Sequence, residues 1–333
     1  MIHSIADIVS LRNRGKGAHP LELPNWVLRA FVRITHFRPK VFTEEEKAQK
    51  AAELIEQNRR QDRDITTCSR ELIEGLSIEY VTLPNAGAWL VKRDGDPEDK
   101  IIYYIHGGGF VGACTKDRMP FVSTLARRFG YNVFSLDYRL APEWKQPCQL
   151  LDCLDGYLWL LERYAPENIV LIGESAGGNL VLCLSMLLRD RGLPLPKAVY
   201  SNSPVTQFTE YTDSFRRCSL KTDFIVTESI LENTTGIYFE AADAYDPYVS
   251  PLFGELTGLP PILLTASECE CLLDDAVHMY EQLKAAGNET RLITYPKLCH
   301  AFIISPQMKK VVRDAYPDLE QWLNDSLGKA VKE

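Results

Sequence analysis

A chain of 333 residues is about two domains long at roughly 150 residues each, or one large α/β domain with an appended cap. Hydrophobic residues make up 45% and charged residues 25%, a globular composition far from that of a disordered chain. With 37 Lys and Arg against 45 Asp and Glu the net charge is -8, so the basic footprint of a nucleic-acid binder is missing.

Nine cysteines, at positions 68, 114, 148, 153, 183, 218, 269, 271 and 299, form an odd, unpatterned set in a chain too long to need disulfide staples. That usage points to a reducing, cytoplasmic setting. Met1 to Pro20 mixes charges into every short apolar stretch, so it lacks the apolar core of a secretory signal and reads as unprocessed. The longest apolar candidate, Leu180 to Leu188, is broken by Arg189 and is too short to span a bilayer.

In chain order, residues 21 to 75 read as helical. Trp26, Ala30, Ile34 and Phe37 recur at three-to-four spacing, and Thr43 is a natural N-cap for the polar helix formers up to Arg60. Arg29, Arg33, Arg38 and Lys40 make the first segment basic. In isolation it would resemble a membrane-surface helix, although packing on the main domain is the preferred reading. Residues 1–75 are therefore assigned to an N-terminal helical cap segment.

After Leu76 the pattern changes to short β-rich runs: Ile78 to Leu83, Ala88 to Lys92, Ile101 to Ile105, Asn132 to Leu136, Ile169 to Ile172, Ala198 to Ser201, Pro261 to Thr265 and Arg291 to Tyr295. Several are apolar on both faces. Between the later runs lie helical stretches such as Asn179 to Arg189, closed by Gly192, and Asp274 to Ala286, closed by Gly287. This alternation predicts an α/β fold with a mostly parallel sheet covered on both sides. Val205 to Tyr248 is too long for an ordinary connection, so 205–248 is assigned to a cap insertion within a core of 76–204 and 249–333. An exposed last strand near Arg291 to Tyr295 would offer an edge for a homodimer.

Gly173-Glu174-Ser175-Ala176-Gly177-Gly178 sits between an apolar run and an apolar helix. A serine hydroxyl is a poor nucleophile, and a tight strand-to-helix turn lifts its oxygen clear of the sheet and aims a helix N-terminus at the reacting carbonyl. His106-Gly107-Gly108-Gly109-Phe110 follows another predicted strand. Its glycines expose backbone N–H groups, so Gly108 and Gly109, with the N–H of Ala176, are the candidate oxyanion hole. A phosphate cradle would want a Walker lysine, and none follows these glycines.

Of the six histidines, His300 comes last, after a predicted strand, which suits a base that takes the serine proton and returns it to the leaving group. An orienting acid is expected between Ser175 and His300. Glu268, Glu270, Asp274 and Asp275 are the carboxylates on offer, and the two aspartates open a helix, where the dipole alone explains them. Glu268 and Glu270 remain, and the residues themselves do not choose.

These motifs resemble the hormone-sensitive-lipase-like family of α/β-hydrolases, capped carboxylesterases. The likeness covers roughly residues 76 to 325, through His106 to Gly109, Asp137-Tyr138-Arg139-Leu140-Ala141-Pro142-Glu143, Gly173 to Gly178, Asp246-Pro247 with Ser250-Pro251, and His300-Ala301-Phe302. The run Glu270-Cys271-Leu272-Leu273-Asp274-Asp275 looks like the family's acid-x-Leu-x-Asp-Asp pattern, which implies Glu270 as the acid. Glu at the acid position followed by Cys, Glu174 before the nucleophile and Ala301 after the histidine depart from the common pattern. The last two positions need supply no triad atom. The resemblance further implies a cap above a pocket for short or medium acyl esters, with the Asp137 motif as structural support.

The expected activity is a serine carboxylesterase acting on small-molecule esters, with Ser175, Glu270 and His300 as its triad and no metal or organic cofactor. An amidase or peptidase-like acyl hydrolase is the nearer alternative. A non-catalytic ligand receptor on the same scaffold is the more distant one, and it would tend to lack His300.

Overall fold

The computed structural model describes residues 42–93, 99–227, 236–240 and 243–328. The helix expected around Trp26 to Phe37 lies outside the described residues. Helix α1, Glu44–Arg60, begins at Thr43: its hydroxyl accepts the N–H of Glu46, and Glu46 accepts the N–H of Thr43 in return. A single short turn, α2 (Arg70–Ile73), leads into the sheet.

Eight strands form one sheet: β1 Leu76–Thr82, β2 Gly87–Arg93, β3 Ile101–Ile105, β4 Asn132–Asp137, β5 Ile169–Glu174, β6 Ala198–Asn202, β7 Ile262–Ser267 and β8 Thr290–Tyr295. Their spatial order is β1-β2-β4-β3-β5-β6-β7-β8, and only the β1–β2 and β2–β4 pairings are antiparallel. Every expected strand is present, shifted by a residue or two at its ends. β3, β5, β6 and β7 are buried along their whole length, which explains why they read as continuous apolar runs.

The remaining helices are α3 Thr115–Arg127, α4 Cys148–Leu161, α5 Ala176–Asp190, α6 Asp213–Cys218, α7 Leu273–Ala285, α8 Lys309–Asp314 and α9 Tyr316–Leu327. Alternation along β3 shows how they clothe the sheet. Ile101, Tyr103 and Ile105 join the core that includes Leu150 and Leu154 of α4, Leu180 and Leu184 of α5 and Met279 of α7. Ile102 and Tyr104 point the other way, into a core shared with Met119, Val122 and Leu125 of α3 and Leu319 and Leu323 of α9. Gly192 and Gly287 close α5 and α7 in left-handed conformations, and Gly287 donates its N–H to Lys284 O at 3.0 Å.

The long segment between β6 and β7 carries α6 and packs aromatics on the loop after β3. Tyr238 stacks on Phe110 with ring centroids 3.7 Å apart, and Phe208 lies against Phe239. At the next residue of that loop Asn58 of α1 donates to Val111 O at 2.9 Å. The C-terminal edge of the parallel strands is thus approached by α1 and by the β6–β7 segment.

Candidate active site

The turn from β5 into α5 forces Ser175 to φ 56° and ψ -119°, a conformation in which an L side chain is strained. Close approach of backbone makes two flanking glycines necessary. A Cβ on Gly173 would lie 2.2 Å from Gly177 O, and one on Gly177 would lie 2.0 Å from Ile105 O. The Ser175 N–H is anchored on Asn202 O at 2.9 Å, while its carbonyl accepts the N–H of Asn179 at 3.0 Å and starts the helix. The hydroxyl therefore sits at the sheet edge, at the positive end of a 15-residue helix.

His300 reaches it from the loop after β8. Its Nε2 is 2.9 Å from Ser175 Oγ and its Nδ1 is 2.7 Å from Glu270 Oε2. With the proton on Nδ1 donated to the carboxylate, Nε2 is left as the acceptor of the serine hydroxyl. Glu270 Oε1 accepts the N–H of Ser267 at 2.6 Å and the hydroxyl of Ser203 at 2.9 Å. Ser203 Oγ in turn accepts the N–H of Ala301 at 3.1 Å, so one hydroxyl ties the acid to the backbone beside the histidine.

Glu268 is exposed and touches Thr294 Oγ1 at 3.3 Å, on the surface side of the same turn. Asp274 accepts the N–H of Ser214 at 2.6 Å and Asp275 that of Thr206 at 2.8 Å. Among the four carboxylates only Glu270 meets the imidazole.

Burial lowers the proton affinity of His300, but the hydrogen bond and charge of Glu270, reinforced by Asp223 and Glu174, outweigh it and hold the imidazole above its ordinary value. Burial pushes the Glu270 carboxyl up, opposed by the His300 contact and the Ser267 N–H, which favour the carboxylate.

The glycines after β3 form a tight loop around Gly108 O, which accepts the N–H groups of Val111 at 3.3 Å and Gly112 at 3.2 Å. Gly108 and Gly109 both have positive φ, and a Cβ on Gly108 would lie 2.2 Å from Gly112 O. The Gly107 N–H is already taken by Glu174 Oε1 at 2.7 Å. Among the described residues the N–H groups of Gly108 and Gly109 make no hydrogen bond, and Ala176, the first residue of α5, has no intrahelical acceptor for its own N–H. His106 is fully buried, its Nδ1 on Gly107 O at 2.7 Å and its ring stacked on Tyr138. Burial pushes it down to about 3, so it braces the loop as a neutral ring.

The Asp137 motif supports this loop. Tyr138 donates its hydroxyl to His106 O at 2.9 Å, Asp137 accepts the N–H of Thr115 at 2.6 Å, and Arg139 pairs with the buried Asp152 at 2.6 Å. Glu174, Arg118, Ser203 and Asp223 carry weight that the sequence reading did not assign. Glu174 stood inside the nucleophile motif and could have been found there; the other three belong to no motif. Among the described residues no cluster of His, Cys, Asp and Glu is arranged to hold a metal ion, and no helix is long and apolar enough to cross a membrane.

A family profile described as alpha/beta hydrolase fold matches residues 102–304, which contain the whole of this geometry. The chain belongs to the α/β-hydrolase fold family. Its likenesses place it in the hormone-sensitive-lipase branch of that family. The esterase LipU of Mycobacterium tuberculosis is 30% identical over 265 residues, covering 74% of this chain and 86% of LipU. Mouse hormone-sensitive lipase is 33% identical over 153 residues, 44% of this chain and 20% of that protein. Among solved structures EstE5 superposes with a TM-score of 0.76 at 28% identity, over 92% of this chain and 99% of EstE5. The α/β-hydrolase identity accounts for the sheet order, and Ser175, Glu270 and His300 follow β5, β7 and β8.

Proposed function

We propose that this α/β-hydrolase is a serine carboxylesterase acting on short- to medium-chain acyl esters, acetyl esters included. The observation that carries the reading is the continuous line from Ser175 Oγ to His300 Nε2 at 2.9 Å and from His300 Nδ1 to Glu270 at 2.7 Å. Relatives support the substrate class: one from Streptomyces hygroscopicus is named an acetyl-hydrolase, and one from Pseudomonas putida an ethyl acetate hydrolase, each 29% identical.

In this reading Ser175 Oγ attacks the ester carbonyl carbon as its proton passes to His300 Nε2. The carbonyl oxygen becomes an oxyanion held by the N–H groups of Gly108, Gly109 and Ala176. Collapse expels the alcohol, which takes the proton from His300, and leaves an acyl group on Ser175. Water, deprotonated by His300, then releases the acid and restores the serine. Glu270 keeps the imidazole in the required tautomer and stabilises it while charged.

In this proposal the described residues 42–75 and the described parts of the insertion 205–248 form the cap. All the cysteines are unpaired, which supports a reducing, cytoplasmic setting.

The test is turnover of nitrophenyl esters from acetate to palmitate by wild type and Ser175→Ala, with mass spectrometry after organophosphate treatment. Hydrolysis of the short esters that Ser175→Ala abolishes, with a single adduct on Ser175, is expected. No adduct on Ser175, or turnover that survives its loss, would end this reading.

A further inference from the structure

Cys271 directly follows Glu270, and the insertion between β6 and β7 grips each of its polar groups. Its N–H donates to Asp223 Oδ2 at 2.9 Å, its carbonyl accepts the Ser214 hydroxyl at 2.8 Å, and its thiol lies 3.1 Å from Val226 O. Asp223 is buried and fixed from its own side as well. Its Oδ1 accepts the N–H groups of Ile225 at 2.9 Å and Val226 at 3.0 Å, and its N–H donates to Cys218 O at 3.0 Å.

A carboxylate that takes three backbone N–H groups, two from its own turn and one from the turn carrying the acid, is a rigid link between two segments. The Glu270–His300 hydrogen bond of 2.7 Å leaves little slack. A movement of the Cys271 peptide by about 1 Å would misalign the imidazole by an amount that costs on the order of 100-fold in rate.

We propose that Asp223 is a positioning residue for Glu270, so that the insertion sets the geometry of the acid–base pair as well as covering the site. The proposal rests on the triad reading above. Asp223 also places a negative charge near the imidazole. The titratable groups that act on His300 are Glu270 from the β7–α7 turn, Glu174 from the end of β5 and Asp223 from the insertion. The neighbouring thiol Cys299 is pushed up to about 12 by burial and adds no charge at neutral pH.

Two variants break the link. Asp223→Asn removes the charge and one of the two acceptor oxygens, so either the Cys271 N–H or the Ile225 and Val226 N–H groups meet an NH2 group; Asp223→Ala removes every acceptor. For Asp223→Asn kcat should fall about 3- to 30-fold, and loss of the charge should move the acid limb of the kcat/KM profile to lower pH by about 0.5 to 1 unit. For Asp223→Ala kcat should fall about 10- to 100-fold while KM for nitrophenyl acetate stays within about threefold. Concentrations are set by organophosphate titration of Ser175, so misfolded protein is not counted.

An insertion that merely covers the site would raise KM and leave kcat in place. A wild-type kcat in Asp223→Asn or in Asp223→Ala overturns the proposal. Should Asp223→Ala fail to fold, the kcat of Asp223→Asn decides alone. Failure of the triad reading looks different, since wild type itself would then take no label on Ser175.

Discussion

Glu174 Oε1 accepts the N–H of Gly107 at 2.7 Å, tying the residue before the nucleophile to the glycine loop that faces it. The same oxygen takes Arg118 Nε at 2.9 Å, and Oε2 takes the Tyr104 hydroxyl at 2.8 Å. Loop and nucleophile are thereby held in one frame by a buried carboxylate whose ion pair with Arg118 compensates its burial.

Breaking that frame should act on the transition state. Glu174→Gln leaves one acceptor oxygen for three donors, so the Gly107 peptide loosens and with it the oxyanion donors beyond. We expect kcat to fall by about 10- to 100-fold with KM within about threefold. Affinity for a trifluoromethyl ketone, whose adduct carries the oxyanion, should fall in proportion to kcat/KM. Unchanged ketone affinity would show that the oxyanion donors do not depend on Glu174.

The pH profile follows from the sign of the His300 shift. The general base must be neutral, so kcat/KM rises as pH passes its pKa, which lies above the ordinary value of 6.5. Glu270→Gln removes the largest contribution holding it up. The limb should move to lower pH and kcat should drop by about 10³- to 10⁴-fold. Glu268→Gln, on the exposed side of the turn, should stay within about twofold of wild type by the same assay. Equal losses in the two variants would contradict the assignment of the acid.

Much of this was written in the sequence because its cause is local. Ile101 to Ile105 and Ile169 to Ile172 are apolar at every position because helices cover both faces of their strands, and Gly173 and Gly177 are glycines because backbone oxygens stand 2.2 and 2.0 Å from where a Cβ would be. The choice between Glu268 and Glu270 was not local. It depends on which side of the β7–α7 turn faces the sheet edge, and on Ser203 and Ser267, whose donors converge on Glu270 only after folding. Asp223 was illegible for the same reason, since its partner is 48 positions away.

Cys299 and Cys271, beside His300 and Glu270, should be poor nucleophiles. Burial pushes Cys299 up to about 12, so almost none of it is thiolate at neutral pH. Cys271 is fully buried, its thiol turned to Val226 O. Iodoacetamide at pH 7.5 should therefore leave esterase activity above about 80% over an hour at 25 °C. Rapid loss with an adduct on Cys299 would mean the loop opens enough to ionise it.

Asp275 offers a stability test independent of catalysis. It stands in the first turn of α7, where the helix dipole favours a carboxylate, and it accepts the N–H of Thr206 at 2.8 Å. Burial nevertheless wins and pushes it from 3.8 up to about 7. Between those values the folded protein holds a proton that the unfolded chain has released. Stability from this group is therefore greatest at low pH and is lost as pH rises through about 7. Asp275→Asn keeps an acceptor for Thr206 and cannot ionise, so it should gain on wild type as pH rises. From pH 5.5 to 7 the difference in urea unfolding free energy should move toward the variant by about 1 to 2 kcal/mol. A constant difference across that range would mean that the Thr206 contacts hold Asp275 ionised throughout, and that the dipole and hydrogen bonds outweigh burial at this site.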